Sequence, residues 1–132
     1  MSTPERGPRI LIVEDEYFIA DDLARELARL GAEIVATVPS LDRALRVVGH
    51  DAASIDAAVV NLDLRGEAAY PAIADLDARG IRVLICTGFS QRDLPQELAA
   101  YPFFEKPADP AALLAAARGA AVKTGGAEMP EV

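Results

Sequence analysis

Five polar residues, at the ends of four apolar runs, are of types that together could hold a metal ion and a phosphoryl group. Glu14 and Asp15 follow one apolar run, Asn61 follows a second, Thr87 ends a third and Lys106 ends a fourth. Paired carboxylates suit Mg²⁺, which prefers hard oxygen ligands and keeps several waters. A lysine can pair with a phosphoryl oxygen as a point charge, and a hydroxyl can hydrogen-bond to another.

Short apolar runs that alternate with amphipathic segments must position these residues. The runs are rich in β-branched residues and do not alternate strictly, which is typical of strands buried on both faces. The predicted strands are Ile10–Val13, Ile34–Val38, Ala57–Val60, Val83–Cys86 and the short Phe103–Phe104. Strand–helix alternation of this kind predicts an α/β protein, a doubly wound (βα)5 three-layer sandwich with a five-stranded parallel sheet.

The segments between the strands have apolar residues at helical spacing. The first predicted helix, Tyr17–Leu30, ends before Gly31, and its apolar face is formed by Ile19, Leu23, Leu27 and Leu30. Ser40 is a suitable N-cap for the second helix, and Asp109-Pro110 is suited to open the last one. The other predicted helices are Leu41–Val48, Tyr70–Arg79, the short Leu94–Ala100 and Ala111–Ala121.

Length, charge and cysteine content limit the class of protein. The 132 residues suit one domain, for which we predict a folded part at 9–120 and mobile ends at 1–8 and 121–132. A single cysteine, Cys86, excludes an intramolecular disulfide and fits a reducing compartment. The net charge of −8 argues against a nucleic-acid partner, and no apolar run could span a membrane. We therefore expect a cytoplasmic protein.

The candidate residues all fall at the carboxyl ends of predicted strands. In an open parallel sheet, ligands bind at that edge. Glu14 and Asp15 follow the first strand, Asn61 the third, Thr87 the fourth and Lys106 the fifth. We expect their side chains to lie close together.

Four segments in order carry a family resemblance. ILIVEDE, VVNLDLRG, ICTG and EKP resemble the receiver domain of two-component response regulators over about residues 9–120. The resemblance implies a CheY-like, flavodoxin-like fold. ICTGFS and GEAAYP are also similar to the stand-alone receivers of alphaproteobacterial stress signalling, which carry a Phe-Ala-Thr-Gly-hydrophobic-Tyr motif. Ile85, Cys86 and Ser90 depart from that motif.

The resemblance also implies roles for individual residues. Glu14 and Asp15 match the acidic pair, of which Asp15 is the direct Mg²⁺ ligand. Asp63 matches the position whose backbone carbonyl binds Mg²⁺. Thr87 matches the switch hydroxyl, and Lys106 matches the phosphoryl-binding lysine, whose bond to the next proline is commonly cis in the family.

Two roles can be predicted for Phe103. By the same resemblance it matches the aromatic residue that rotates on activation. In a chain that is never phosphorylated, the core is the more natural place for it.

By the same resemblance, Asn61 matches the position of the phosphorylated aspartate. Receivers commonly carry an aspartate five residues before the acceptor, and Asp56 stands at that distance from Asn61 but seven residues before Asp63. An amide is neutral and a poor nucleophile, so Asn61 cannot form a stable acyl phosphate. The lost charge should also weaken Mg²⁺ binding.

Three functions remain open at this point. The first is a stand-alone pseudo-receiver, a non-enzymatic module that binds a histidine kinase, a phosphotransferase or a downstream target as a monomer or weak homodimer. The second is a phosphorylatable receiver that uses Asp63, which lies on the same side of the strand as Asn61. The third is an Mg²⁺-dependent phosphatase-like enzyme, since Asn61-Leu62-Asp63 is a broken Asp-x-Asp motif. An Asp→Asn substitution introduced into an ordinary receiver would give the same sequence.

Overall fold

A computed structural model describes residues 7–51, 54–61, 69–88 and 96–119. The described strands and helices alternate along the chain. They are β1 (Arg9–Val13), α1 (Tyr17–Arg29), β2 (Glu33–Val38), α2 (Leu41–Asp51), β3 (Ala57–Asn61), α3 (Ala69–Ala78), β4 (Arg82–Thr87), β5 (Phe103–Glu105) and α4 (Pro110–Ala117). Every predicted strand is present, and each strand begins and ends within one residue of its predicted bounds.

The strands form one parallel sheet in the order β2-β1-β3-β4-β5. The chain crosses from one side of β1 to the other between β2 and β3, as a doubly wound sheet requires. The central strand β3 is buried along its whole length, as its apolar sequence predicts. The predicted α/β fold with a five-stranded parallel sheet is therefore confirmed.

Two hydrophobic cores lie on opposite faces of the sheet. One lies beneath α2 and α3 and includes Val48, Leu76 and Phe103. The other lies beneath α1 and α4 and includes Leu27, Val59 and Leu113. Because side chains alternate along a strand, neighbouring residues of β1, β3 and β4 contribute to different cores.

Local polar contacts fix the helix ends. The Ser40 hydroxyl accepts a hydrogen bond from the Arg43 amide at 3.1 Å, and Asp109 Oδ1 accepts one from the Ala111 amide at 3.2 Å. Both predicted caps are thus confirmed. Gly31 follows α1 with a φ of 112°, a left-handed conformation that glycine adopts at little cost.

Three helical predictions differ from the structure by more than one residue. The second helix continues to Asp51, beyond its predicted end at Val48. The last helix ends at Ala117, earlier than predicted, because Gly119 turns the chain with a φ of 90°. The described part of the predicted helix Leu94–Ala100 contains a 3₁₀ turn at Gln96–Leu98 instead of an α-helix. Few apolar residues are available there to stabilise an α-helical turn, and Pro102 follows closely.

The predicted apolar face of α1 is only partly buried. Leu27 is fully buried and Leu23 is half-buried, but Ile19 and Leu30 are 45% and 39% exposed. The helix therefore packs on the sheet through its middle, whereas its first turns leave apolar surface uncovered.

Four expectations fall wholly or partly outside the described residues. They concern the predicted mobile ends, Asp63, Gly66–Ala68 of the segment GEAAYP, and Phe89-Ser90 of the segment ICTGFS. Within the described ranges, no helix is long and apolar enough to cross a lipid bilayer.

Candidate functional site

The carboxyl edge of the sheet brings most of the predicted site residues together. The Glu14 amide donates to the Val38 carbonyl at 2.9 Å, which fixes the end of β1 beside β2. The Lys106 amide donates to the Thr87 carbonyl at 2.7 Å, which fixes the residue after β5 beside the end of β4. Asn61 ends β3 between these two pairs of strands.

Glu14 and Lys106 form an ion pair across this edge. Glu14 Oε1 lies 3.3 Å from Lys106 Nζ, and Glu14 Oε2 accepts a hydrogen bond from the Glu16 amide at 3.1 Å. Glu14 is 6% exposed, whereas the Lys106 side chain keeps 26% of its surface. Both carboxylate oxygens thus have donors, which is what a buried charge requires. The sequence predicted that the two residues would be neighbours but did not predict their direct contact.

Asn61 lies at the centre of the edge and is 3% exposed. It pairs in register with Cys86 of β4, and it lines one cavity with Glu14 and Lys106. Its position two residues after Val59 places it on the α1 and α4 side of the sheet. A buried, neutral amide therefore ends β3 at this edge of the sheet.

The oxygen-bearing side chains at this edge are of the type that Mg²⁺ prefers, but their total negative charge is low for a magnesium site. Glu14 and the half-buried Asp15 supply carboxylates, and Asn61 could supply an amide oxygen. Among the residues that the structure describes, no three His, Cys, Asp or Glu side chains are grouped to hold a metal. Hard oxygen ligands remain, with one negative charge fewer than three carboxylates would give.

The hydroxyl and aromatic positions predicted for a switch are both buried. Thr87 is fully buried at the end of β4, and Phe103 is 5% exposed in the core beneath α2 and α3. The peptide bond between Lys106 and Pro107 is cis, as the family resemblance implied. Phe103 is thus a core residue in this structure, as predicted for a receiver that is not phosphorylated.

A cavity of about 550 Å³ extends from this edge towards the interior, beneath α1. Its walls include Ile19, Leu23 and Glu26 of α1, together with Cys86 and Ala108. The amino-acid sequence did not predict this cavity. One feature of the sequence could have indicated it: the apolar stripe of α1 starts at Ile19, two residues after the helix begins, where few other residues are near enough to cover it.

A side-chain hydrogen bond connects α3 to the segment that precedes β5. The Tyr101 hydroxyl donates to Asp77 Oδ2 at 3.2 Å and so joins the segment before β5 to α3. Burial raises the pKa of the Tyr101 phenol, and the negative charge of Asp77 raises it further.

Comparison with solved structures gives matches over most of the chain. A solution structure of the BeF3-activated conformation of SdrG from Pseudomonas melonis Fr1 is 34% identical with a TM-score of 0.73, and the match covers 83% of this chain and 94% of SdrG. A response regulator receiver domain (CheY-like) from Methylobacillus flagellatus is 26% identical with a TM-score of 0.73, over 86% and 98% of the two chains. This chain belongs to the CheY-like response regulator receiver domains.

Other comparisons add one receiver with an occupied site. A response regulator from Burkholderia pseudomallei, solved with a phosphorylated aspartic acid, a calcium ion and citrate, is 27% identical to this receiver with a TM-score of 0.70. The match covers 83% of this receiver and 65% of that protein. No protein-family model matches the chain, and a search of curated proteins finds no match.

Proposed function

We propose that this receiver domain acts through protein contacts without being phosphorylated on an aspartate at the usual acceptor position. The observation that carries the proposal is Asn61, a buried amide at the end of β3 and beside the Glu14–Lys106 ion pair. A carboxylate oxygen can attack phosphorus and form an acyl phosphate, but an amide oxygen has neither the charge nor the nucleophilicity. The domain is therefore a pseudo-receiver and not an enzyme.

The metal site would be formed by Glu14, Asp15, Asn61 and the backbone carbonyl of Asp63, which lies outside the described residues. A calcium ion accompanies the phosphorylated aspartic acid of the Burkholderia protein. Mg²⁺, when bound here, would neutralise charge at this edge. Because the amide replaces a carboxylate, we propose that this receiver binds Mg²⁺ weakly.

Lys106, Thr87 and Phe103 keep the positions of phosphoryl-binding and switch residues, but here they would serve a fixed conformation. Lys106 is paired with Glu14, Thr87 is fully buried and Phe103 is packed in the core. In a receiver that takes up a phosphoryl group, binding shifts an equilibrium between two states. Without that input, the state of this domain would be set by its protein partner.

The partners that suit a receiver of this kind are a histidine kinase, a phosphotransferase or a downstream protein target, which it would bind as a monomer or weak homodimer in the cytoplasm. Neither its charge of −8 nor its site suggests nucleic acid. The alternative function is phosphorylation of Asp63, and it is separated from the main proposal by the experiment below.

Beryllium trifluoride tests the proposal because an anionic oxygen must coordinate the beryllium before the adduct imitates a phosphoryl group, and an amide does not provide one. We expect ¹⁵N–¹H spectra of the wild-type domain with Mg²⁺ to remain unchanged when beryllium fluoride is added. The Asn61→Asp variant should instead show a second set of resonances that includes Thr87 and Lys106. Changes in the wild-type spectrum that disappear in an Asp63→Asn variant would contradict the proposal and identify Asp63 as the acceptor.

A further inference from the structure

The cavity beneath α1 has the size and lining of a small-molecule site. Its volume of about 550 Å³ falls within the ~300–1,000 Å³ that is usual for ligand pockets. Its floor is formed by buried strand residues, Ile12, Val59 and Cys86, and its outer wall by α1. Apolar residues therefore make up most of the lining, and the buried Glu14 and Asn61 add polar groups at the end nearest the carboxyl edge of the sheet.

One face of α1 forms the outer wall. Ile19, Asp22, Leu23 and Glu26 recur at intervals of three and four residues, so they lie on the same side of the helix, and all of them line the cavity. Ile19 remains 45% exposed and Leu23 is half-buried. This face thus presents apolar side chains that no part of the described chain covers fully.

The charges around the cavity favour a cation. Among the described residues, three carboxylates line it, those of Glu14, Asp22 and Glu26, against one cationic side chain, that of Lys106. Lys106 is already paired with Glu14, and Glu26 is paired with Arg29. Within the described ranges the side chain of Asp22 has no hydrogen bond or ion pair, and it is exposed. A ligand with a positive charge could gain from Asp22, whereas an anion would meet repulsion.

We infer that this cavity binds a small amphiphilic cation, an organic amine with an apolar body. The apolar body lies against Ile19, Leu23 and the strand residues, and the ammonium group lies beside Asp22 and Glu26. The inference goes beyond the proposed function and does not depend on whether Asn61 accepts a phosphoryl group. Glu14, Asn61 and Lys106 line one end of the cavity, whereas the α1 face that would hold the amine takes no part in phosphoryl acceptance. A bound amine would give the domain a chemical input other than phosphorylation.

Three probes of one shape test the inference. Phenethylamine, 2-phenylethanol and phenylacetate are titrated into the ¹⁵N-labelled wild-type domain, and dissociation constants are taken from the amide shifts. We expect phenethylamine to shift the amides of Ile19, Leu23 and Ala108, and to bind about two- to fivefold more tightly than the alcohol, as one partly exposed ion pair would provide. Phenylacetate should bind most weakly.

Matched variants locate the charge. Asp22→Asn should remove the preference for the amine over the alcohol, whereas Asp21→Asn should keep it, because Asp21 pairs with Arg25 and does not line the cavity. Ile19→Trp should block all three probes by filling the cavity, with its thermal unfolding recorded as the control for folding. Equal binding of amine and alcohol in the wild type would overturn the assignment to cations. A folded wild-type domain that binds none of the probes would overturn the site itself.

Discussion

At the carboxyl edge of the sheet, β1 and β5 present both charged groups that a phosphoryl site uses, whereas β3 presents a neutral amide between them. Glu14 and Lys106 are paired at 3.3 Å, and Asn61 is buried beside them. Under the proposed function, the first region keeps charged groups of a receiver site, and the second lacks its nucleophile. Asparagine and aspartate have nearly the same shape, so the backbone around Asn61 can be that of a receiver although the chemistry differs.

The largest effect on stability is expected when the two regions are made alike. Asn61→Asp adds a carboxylate at an almost fully buried position, in the same cavity as the buried carboxylate of Glu14. Without metal, the free energy of unfolding should fall by about 1–3 kcal/mol because the new charge is desolvated and repelled. Mg²⁺ should restore it and should bind about tenfold more tightly than to the wild type, because ligand charge raises affinity. Urea denaturation with and without Mg²⁺ measures both.

Gln96→Glu is the matched control for this variant. It makes the same amide-to-carboxylate change at an exposed position of the 3₁₀ turn. Its stability should stay within about 0.5 kcal/mol of the wild type and should not respond specifically to Mg²⁺. If Asn61→Asp behaved like Gln96→Glu, the charge difference between the two regions would not matter for metal binding.

A smaller effect is expected from breaking the charged region. Lys106→Met leaves the Glu14 carboxylate buried, with the Glu16 amide as its one donor among the residues that the structure describes. We expect a loss of about 1–2 kcal/mol, reduced from the value of a fully buried pair because Lys106 keeps part of its surface in water. Adding Glu14→Gln to this variant should recover part of the loss. Denaturation curves of the two single variants and the double variant give the coupling, and simple additivity would show that the pair contributes nothing.

The sequence was sufficient for the strands and for the placement of the site. Runs such as Ala57–Val60 are long enough and apolar enough to identify buried strands, and strand ends in a parallel sheet must share one edge. Caps such as Ser40 and Asp109 are local, so their residue types predict them.

The exposure of the α1 stripe, the cavity and the Glu14–Lys106 contact depend on tertiary packing, which the spacing of apolar residues along the sequence does not determine. The stripe of Ile19, Leu23, Leu27 and Leu30 indicated a buried helix face, but only the distance between α1 and the sheet decides how much of it is covered. The cavity beneath α1 likewise depends on how this helix packs against the sheet. The Glu14–Lys106 contact joins residues 92 positions apart, and the sequence predicts their strands but not the rotamers that pair them.

Intact mass after incubation with acetyl phosphate and Mg²⁺ tests the central claim most directly. The wild-type domain should keep its mass, whereas Asn61→Asp should gain one phosphoryl group that hydroxylamine removes. That result would mean that the edge retains a working receiver geometry and lacks only its acceptor. Uptake of one phosphoryl group by the wild type, lost in Asp63→Asn, would contradict the account and assign the acceptor to Asp63.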